Sequence, residues 1–421
     1  MTVRFIHTAD IHLDSPLSGL SSYADAPLDS LRNATRRAFE GLIDLALSEQ
    51  VDFLVIAGDL FDGTWKDYNT GLFFLAQMGR LRKNKIRVAL LYGNHDAESD
   101  LVRTSRLRLP ENVRVFDSSN AHSIEFEDLK VVLHGRSFWQ RDVEENLVRN
   151  YPDPKPGWFN IGVLHTALSG REDHASYAPC SVEDLRARGY DYWALGHVHA
   201  AEVVSKSPLI VFPGSLQGRH IRETGAHGAY LVEVADGAVE RLLRVSTDVV
   251  RWQNLAVDVG GALTEQVVLS RVEASLEQAL LDSDGRPLAV RISLVGETRL
   301  HAEILGRIQH LRAEAQGLAL AFGKEQIWIE KLRIQTKAPS DVPDQVTQGD
   351  ALDDLRGLLG VAAADSELLR DLEKEFAELC LKLPHEVRRG EEPLLQKLRE
   401  GDIAGIVEMV APNVLSLVAE R

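Results

Sequence analysis

Five apolar runs in the first half of the chain each lead straight into a short polar segment. The runs are Arg4-Phe5-Ile6-His7, Phe53-Leu54-Val55-Ile56, Val88-Ala89-Leu90-Leu91, Ile161-Gly162-Val163-Leu164 and Tyr192-Trp193-Ala194-Leu195. The segments are Asp10-Ile11-His12, Gly58-Asp59-Leu60-Phe61-Asp62, Gly93-Asn94-His95-Asp96, His165 and Gly196-His197-Val198-His199. Short runs of this composition are of strand type, so the polar residues fall just past strand carboxyl ends. Loops at such ends converge on one crevice, which constrains the chain to a layered α/β fold with Asp, Asn and His gathered along one edge.

Residues of these types in one crevice are metal donors. Two divalent cations only about 3.5–4 Å apart repel strongly, so an anionic ligand has to lie between them, and Asp59 is the natural bridge. Asp10, His12 and His199 then complete the first ion, and Asn94, His165 and His197 the second. Imidazole, carboxylate and amide together favour Mn²⁺, Fe²⁺ or Zn²⁺ over an all-oxygen Mg²⁺ or Ca²⁺ site. Gly58, Gly93 and Gly196 precede ligand-bearing residues, where the expectation is a backbone conformation that only glycine takes without steric cost. His197 and His199 would point to opposite faces of a continuing strand, so the chain must leave the strand at Gly196 for both to reach metal.

The ordered set D-x-H, GDLFD, GNHD, H and GHVH resembles the calcineurin-like metallophosphoesterase superfamily. Within it, the stretch from Phe5 to Leu17 (FIHTADIHLDSPL) and that from Pro213 to His220 (PGSLQGRH) look most like YhaO-type DNA repair exonucleases, relatives of the SbcD nuclease. The resemblance implies a two-sheet β-sandwich flanked by helices, followed by a small α/β capping domain. It also implies hydrolysis of phosphate esters, with the motif histidine, His95, as general acid. His95 adjoins Asn94 but is not assigned to a metal, which suits protonation of the departing oxygen. Asp62, three residues after Asp59, is placed to accept a hydrogen bond from the other ring nitrogen and hold the imidazolium form. A loop cap is the alternative for Asp62, and Asp96 competes for the same role. Two cations would lower the pKa of a bridging water and stabilise charge on the attacking and leaving oxygens. No covalent intermediate is needed, in keeping with the lack of a nucleophile motif. Cys180 and Cys380 have no CxxC spacing, and neither GxSxG nor a GKS/GKT loop occurs.

The remaining histidines carry plainer expectations. His7, inside the first strand, reads as a satisfied core or surface residue, and His134 as structural. His122, His174, His227, His301, His310 and His385 lack ligand spacing and default to the surface.

A chain of 421 residues exceeds one ordinary core and should divide into two or three domains. The expected divisions are a phosphoesterase domain over 1–250, a capping domain over 251–337, and a linker with a helical tail over 338–421. Early helices are expected over Leu31–Gln50 and Thr70–Leu81. The capping segment reads β-α-β-α-β through Gln253–Val259, Thr264–Leu281, Leu288–Val295, Arg299–Ala315 and Ile327–Gln335. Trp328 reads as core or interface. The tail carries apolar helical stripes at Leu368, Leu369, Leu372, Phe376 and Leu379, and at Ile403, Ile406, Val407 and Val410, the second broken by Pro412.

A formal net charge of −16 at first argues against nucleic acid, but the acidic excess is heaviest in the tail. Arg103, Arg106 and Arg108, Arg136 and Arg141, and Arg219, His220 and Arg222 are candidate phosphate contacts, with Arg219 and His220 ranked first as substrate-binding residues. Two isolated cysteines, an amino terminus that runs directly into a ligand-bearing strand, and the lack of an apolar run of roughly 20 residues point to a cytoplasmic protein that does not enter a membrane. The resulting expectation is an Mn²⁺-dependent DNA exonuclease or endonuclease, with Fe²⁺ or Zn²⁺ as alternative ions. DNA and an SMC-like coiled-coil ATPase are the partners the resemblance implies, and a homodimer is allowed. The competing readings are a small-molecule or protein phosphatase on the same scaffold, and a scaffold protein without chemistry.

Overall fold

Strand β1 (Thr2–Thr8) turns Phe5 to one face and Ile6 to the other, and both are fully buried. A strand covered on both faces belongs to a layered structure, not to a one-sided sheet. The computed structural model describes residues 2–15, 33–62, 68–98, 108–169, 177–323, 325–339, 351–382 and 393–419. After β1 the strands are β2 (Phe53–Ala57), β3 (Arg87–Leu91), β4 (Val113–Val115), β5 (His122–Phe126), β6 (Val131–Gly135), β7 (Phe159–His165) and β8 (Tyr192–Gly196). There follow β9 (Glu202–Lys206), β10 (Leu209–Phe212), β11 (Gly228–Ala235), β12 (Ala238–Ser246), β13 (Arg251–Asp258), β14 (Leu288–Glu297) and β15 (Ile327–Lys337).

Two six-stranded mixed sheets result, in the orders β12-β11-β1-β2-β3-β4 and β5-β6-β7-β8-β10-β9. Between them lie Phe5, Phe53, Val55 and Leu91 of the first sheet and Ile161, Val163, Tyr192 and Ala194 of the second. Phe5 stacks on Phe53 at 4.9 Å and meets Tyr192 edge-on at 5.4 Å, so aromatic packing sets the spacing of the sheets. Truncating Phe53 to Ala would cost about 3–5 kcal/mol. Helices Ala34–Ser48 and Tyr68–Lys83 cover the outer face of the first sheet, packing Ala38, Phe39, Leu42, Phe74 and Met78 on Ile6, Leu54, Ile56, Val88 and Leu90.

Register places the site. β1, β2 and β3 are parallel neighbours with Thr8 opposite Ile56 and Ala57 opposite Leu91, so their carboxyl ends lie side by side. In the second sheet β7 and β8 are parallel with His165 opposite Gly196. Each polar segment of the sequence therefore leaves its sheet at a common edge.

The chain divides into two units. The first comprises residues 1–254, 279–290 and 325–330, and holds both large sheets; the second comprises 255–278, 291–324 and 331–421. β13, β14 and β15 form a three-stranded sheet in the order β13-β14-β15. Helix Glu265–Leu281 follows the expected span, but the helix expected over Arg299–Ala315 is two, His301–Gly306 and Ile308–Ala321, because the backbone at Arg307 (φ −109°, ψ 22°) leaves the helical region. In the tail, helices Ala351–Ala362 and Pro393–Glu400 pack on Ile403–Ala419, which also packs on His301–Gly306. The last helix does not break at Pro412: it runs on to Ala419, held by packing against the neighbouring helices. Most of the expected linker lies outside the described residues. Edge strands β5 and β9 fall outside the sequence expectations, being short and only partly buried.

Candidate metal centre

Past the end of β1 the chain keeps pairing with the segment past β2: Asp10 N–H donates to Gly58 O (3.0 Å), and Ile11 and His12 N–H donate to Asp59 O (2.9 and 3.0 Å). The backbone is wound to do so, with Asp10, His12 and Asp59 at φ 50°, 44° and 52°, and His197 at φ 98°. Four proposed ligands thus occupy the left-handed region, where strain gathers at functional sites. Gly58 is also left-handed (φ 99°), as expected. Gly93 and Gly196 are not, and the expected conformational reason fails for them. Space is the reason instead: a Cβ on Gly93 would collide with the Asp59 carboxylate, and one on Gly196 with Ala57 O.

The donor atoms converge in two groups. Asp10, His12 and His199 form one, with His12 Nε2 3.4 Å from His199 Nε2 and His199 Nε2 3.8 Å from Asp10 Oδ1. Asp59, His165 and His197 form the other, with His165 Nε2 3.3 Å from Asp59 Oδ2 and 2.9 Å from Asn94 Oδ1. Asp59 Oδ2 also lies 3.9 Å from His12 Nε2, so a single carboxylate oxygen faces both groups. His12, Asp62 and His95 form a third cluster alongside.

These residues fit divalent cations. Neighbouring donor atoms within each group lie 2.9–3.8 Å apart, near the separation of ligands that each sit about 2.0–2.2 Å from one ion. Two imidazole nitrogens aimed at each other, as in His12 and His199, need a cation or a proton between them. Nδ1 of His165 donates to Ala57 O (3.0 Å) and Nδ1 of His199 to Glu223 Oε1 (2.6 Å), which leaves each Nε2 as the coordinating atom. Burial depresses His12 well below its ordinary value, helped by the Arg219 charge, so it stays neutral. Burial likewise works against charge on His165, but the Asp59 carboxylate outweighs it and pushes that ring up to about 9. A position that holds a proton so firmly favours any cation that displaces it.

His95 Nδ1 lies 2.9 Å from Asp62 Oδ1, and Ser15 Oγ donates to Asp62 Oδ2 at 2.7 Å. Although burial opposes it, the hydrogen bonds from His95 and Ser15 hold Asp62 down at about 2. His95 is raised in turn: burial lowers it, but the Asp62 hydrogen bond and the Asp59 charge prevail. Asp96 is not the partner of His95. Its buried carboxylate accepts from the N–H groups of Leu60 (3.1 Å), Phe61 (2.8 Å) and Gly93 (3.0 Å), tying the loop after β2 to that after β3. Burial and the neighbouring Asp59 raise it to about 7.

His7 and His134 are buried and satisfied by Tyr192 and Leu195 O, and by Ser123 and Asn160, as expected of structural histidines. His227 is not a surface residue: it is buried between Ser215 Oγ (2.9 Å) and Glu223 O (3.2 Å). His174, His385, Arg103 and Arg106 lie outside the described residues. Arg136 is engaged by Glu145 and Trp139, and Arg141 by Glu98. Arg219 alone of the described basic candidates reaches the cluster, with its guanidinium 3.3 Å from Ser15 Oγ and 3.5 Å from His199 Nδ1. His220 Nε2 sits 3.6 Å from Glu223. Sequence reasoning misses Glu223, whose carboxyl stays well below its ordinary range because contacts with His199 and Arg219 outweigh its burial. Its only sequence signal is a carboxylate four residues after Arg219.

Residues 3–201 match the calcineurin-like phosphoesterase family model, and residues 252–337 match that of the middle domain of metallophosphoesterase YhaO. The chain belongs to the calcineurin-like metallophosphoesterases, with the sandwich and the crevice of donors just described. Within them it is similar to the uncharacterized metallophosphoesterase YhaO of Bacillus subtilis, 37% identical over 298 residues that span 70% of this chain and 72% of that one. It is 26% identical to the DNA double-strand break repair protein Mre11 of Methanopyrus kandleri, over 85% of this chain and 83% of that one. A component of nuclease SbcCD from Rhodobacter capsulatus is 37% identical over a shorter stretch, 26% of this chain and 24% of that one. Among the described residues no helix is long and apolar enough to cross a membrane.

Proposed function

We propose that the chain is an Mn²⁺-dependent DNA nuclease that hydrolyses phosphodiester bonds with two metal ions. The carrying observation is the His95–Asp62 pair standing beside two donor groups, with one Asp59 oxygen facing a histidine of each. Asp10, His12 and His199 would hold one ion and Asn94, His165 and His197 the other, with Asp59 between. Bound there, the ions would supply a nucleophilic water and offset charge on the phosphate. His95 gives its proton to the departing oxygen, and Asp62 keeps the ring charged and oriented until it does. Arg219 and His220 line the approach for a phosphate oxygen. Relatives named for double-strand break repair and for the SbcCD nuclease favour DNA over a small phosphomonoester. The same relatives support work in DNA repair, and the resemblance to the SbcD nuclease adds an SMC-like ATPase as partner. The segments are 1–250 for phosphoesterase chemistry, 251–337 for capping and 338–421 for a linker and helical tail, and the match over 252–337 supports the middle one. A reducing, cytoplasmic setting suits the buried free thiol of Cys180.

Metal-free protein reloaded separately with Mn²⁺, Fe²⁺, Zn²⁺ or Mg²⁺ and offered linear and circular DNA, nucleotides and aryl phosphates tests the reading. Cleavage of DNA that is fastest with Mn²⁺ is expected. Turnover of phosphomonoesters with DNA left intact would make the chain a phosphatase.

A further inference from the structure

A chain of polar contacts runs from the general acid to a metal ligand. His95 meets Asp62 (2.9 Å), Ser15 Oγ donates to Asp62 (2.7 Å), and Arg219 Nη1 donates to Ser15 Oγ (3.3 Å). Glu223 closes the path. Its Oε2 accepts from Arg219 N–H (2.7 Å) and its Oε1 from His199 Nδ1 (2.6 Å), with Arg219 Nη2 3.6 Å away.

We propose that Glu223 is a positioning residue that couples the metal ligand His199 to the phosphate-binding Arg219, so that the first donor group and the substrate-side guanidinium are set by one carboxylate. The inference rests on the two-metal phosphodiesterase reading of the site. Both oxygens of Glu223 face N–H donors, and only a carboxylate offers an acceptor to each. A glutamine satisfies one donor and opposes the other. Turned one way, it releases the Arg219 backbone; turned the other, it asks His199 Nδ1 to accept, which puts the proton on the nitrogen that should coordinate.

Glu223 is suited to transmit position because it is itself held. It is buried, its N–H donates to His220 O (2.9 Å), and its own carbonyl lies 3.2 Å from His227 Nε2. His227 is braced by Ser215, whose N–H donates to His199 O (3.0 Å). The segments carrying His199, Ser215, Arg219 and Glu223 are thus one hydrogen-bonded unit. A general packing role would not link metal affinity to substrate affinity in this way.

The test titrates metal-free full-length protein with Mn²⁺ alone by calorimetry, and then measures DNA hydrolysis at saturating Mn²⁺. Glu223→Gln should weaken Mn²⁺ binding about 10- to 100-fold and raise KM for DNA more than it lowers kcat. Arg219→Ala should raise KM with Mn²⁺ affinity kept, and the double variant should raise KM no further than Arg219→Ala does. Wild-type Mn²⁺ affinity in Glu223→Gln, or additive effects on KM, would overturn the proposal. Where Glu223→Gln does not fold, Glu223→Asp decides: it keeps both acceptors but shortens their reach, so an unchanged Mn²⁺ affinity counts against coupling. A wild-type protein that cleaves no phosphodiester would refute the nuclease reading, while the Mn²⁺ titration would still judge the link to His199.

Discussion

His95 and Asp62 in the crevice, and Lys374 and Asp371 on the tail helix Ser366–Lys382, are contacts of similar length, 2.9 and 3.3 Å. The crevice side chains are 34% and 27% exposed, those of the tail 78% and 70%. Water screens the second pair, which therefore contributes little, whereas the first perturbs both partners because burial removes the competing solvent. Apolar residues show the same contrast. Those beneath the crevice are fully covered, while Leu358 and Val361 of helix Ala351–Ala362 remain 65% and 62% exposed. Chemistry is concentrated where charge is buried, and the open apolar face belongs to the region where charge is not.

The sharpest way to break this comparison is to neutralise one aspartate in each region. Asp59→Asn should lose both cations and reduce phosphodiester hydrolysis below detection, since a neutral amide cannot offset repulsion between the ions. Asp371→Asn should change neither metal content nor rate. Full metal occupancy with near-normal turnover in Asp59→Asn would end the bridging assignment.

His95→Ala comes next. Both cations should stay, because His95 belongs to neither proposed ligand set, while DNA cleavage falls roughly 10²–10⁴-fold. Substrates with very good leaving groups need little protonation and should lose far less. An equal loss on both would remove His95 from the acid role.

Asp62→Asn should have a smaller effect, visible in pH. The acid must be protonated, so kcat/KM falls as pH rises through the His95 pKa, and the carboxylate of Asp62 helps to raise that pKa. Losing that charge should move the alkaline limb to lower pH, with a loss of rate confined to the alkaline side. Stability carries the complementary sign. Asp62 titrates at about 2 when folded against 3.8 ordinarily, so its contribution is complete above about pH 4 and disappears as pH falls through 2. Acid-unfolding curves of Asp62→Asn should lack that component, and an unmoved alkaline limb would leave Asp62 as a loop residue.

The same contrast explains what the sequence can reveal. Donors such as Asp10, Asp59 and His165 are legible because each lies at or just past the carboxyl end of its strand, and parallel register brings the strand ends together. The partner of His199 is not, since Glu223 lies 24 positions away on another turn. His227 defeats a surface expectation for the same reason: its burial comes from contacts that no local pattern records. The glycines are necessary, as their positions suggest, yet at Gly93 and Gly196 the cause is a neighbour's side chain or carbonyl, which only the assembled site supplies. Helix Ile403–Ala419 outlasts its proline because packing overrides a local breaker.

The last prediction concerns the open apolar face and should leave catalysis unmoved. Leu358 and Val361, three residues apart on one helix, present neighbouring side chains to solvent, the form in which an amphipathic helix meets a partner. Replacing both with Lys should preserve helix content, Mn²⁺ binding and DNA cleavage by the isolated chain, because neither side chain supports the core. If the tail docks an SMC-like ATPase, the double variant should cease to co-purify with it. Co-purification at the wild-type level would exclude this face as the main docking element. A loss of helix content would instead assign both residues to packing within their own unit, where helix Ile403–Ala419 already rests on His301–Gly306.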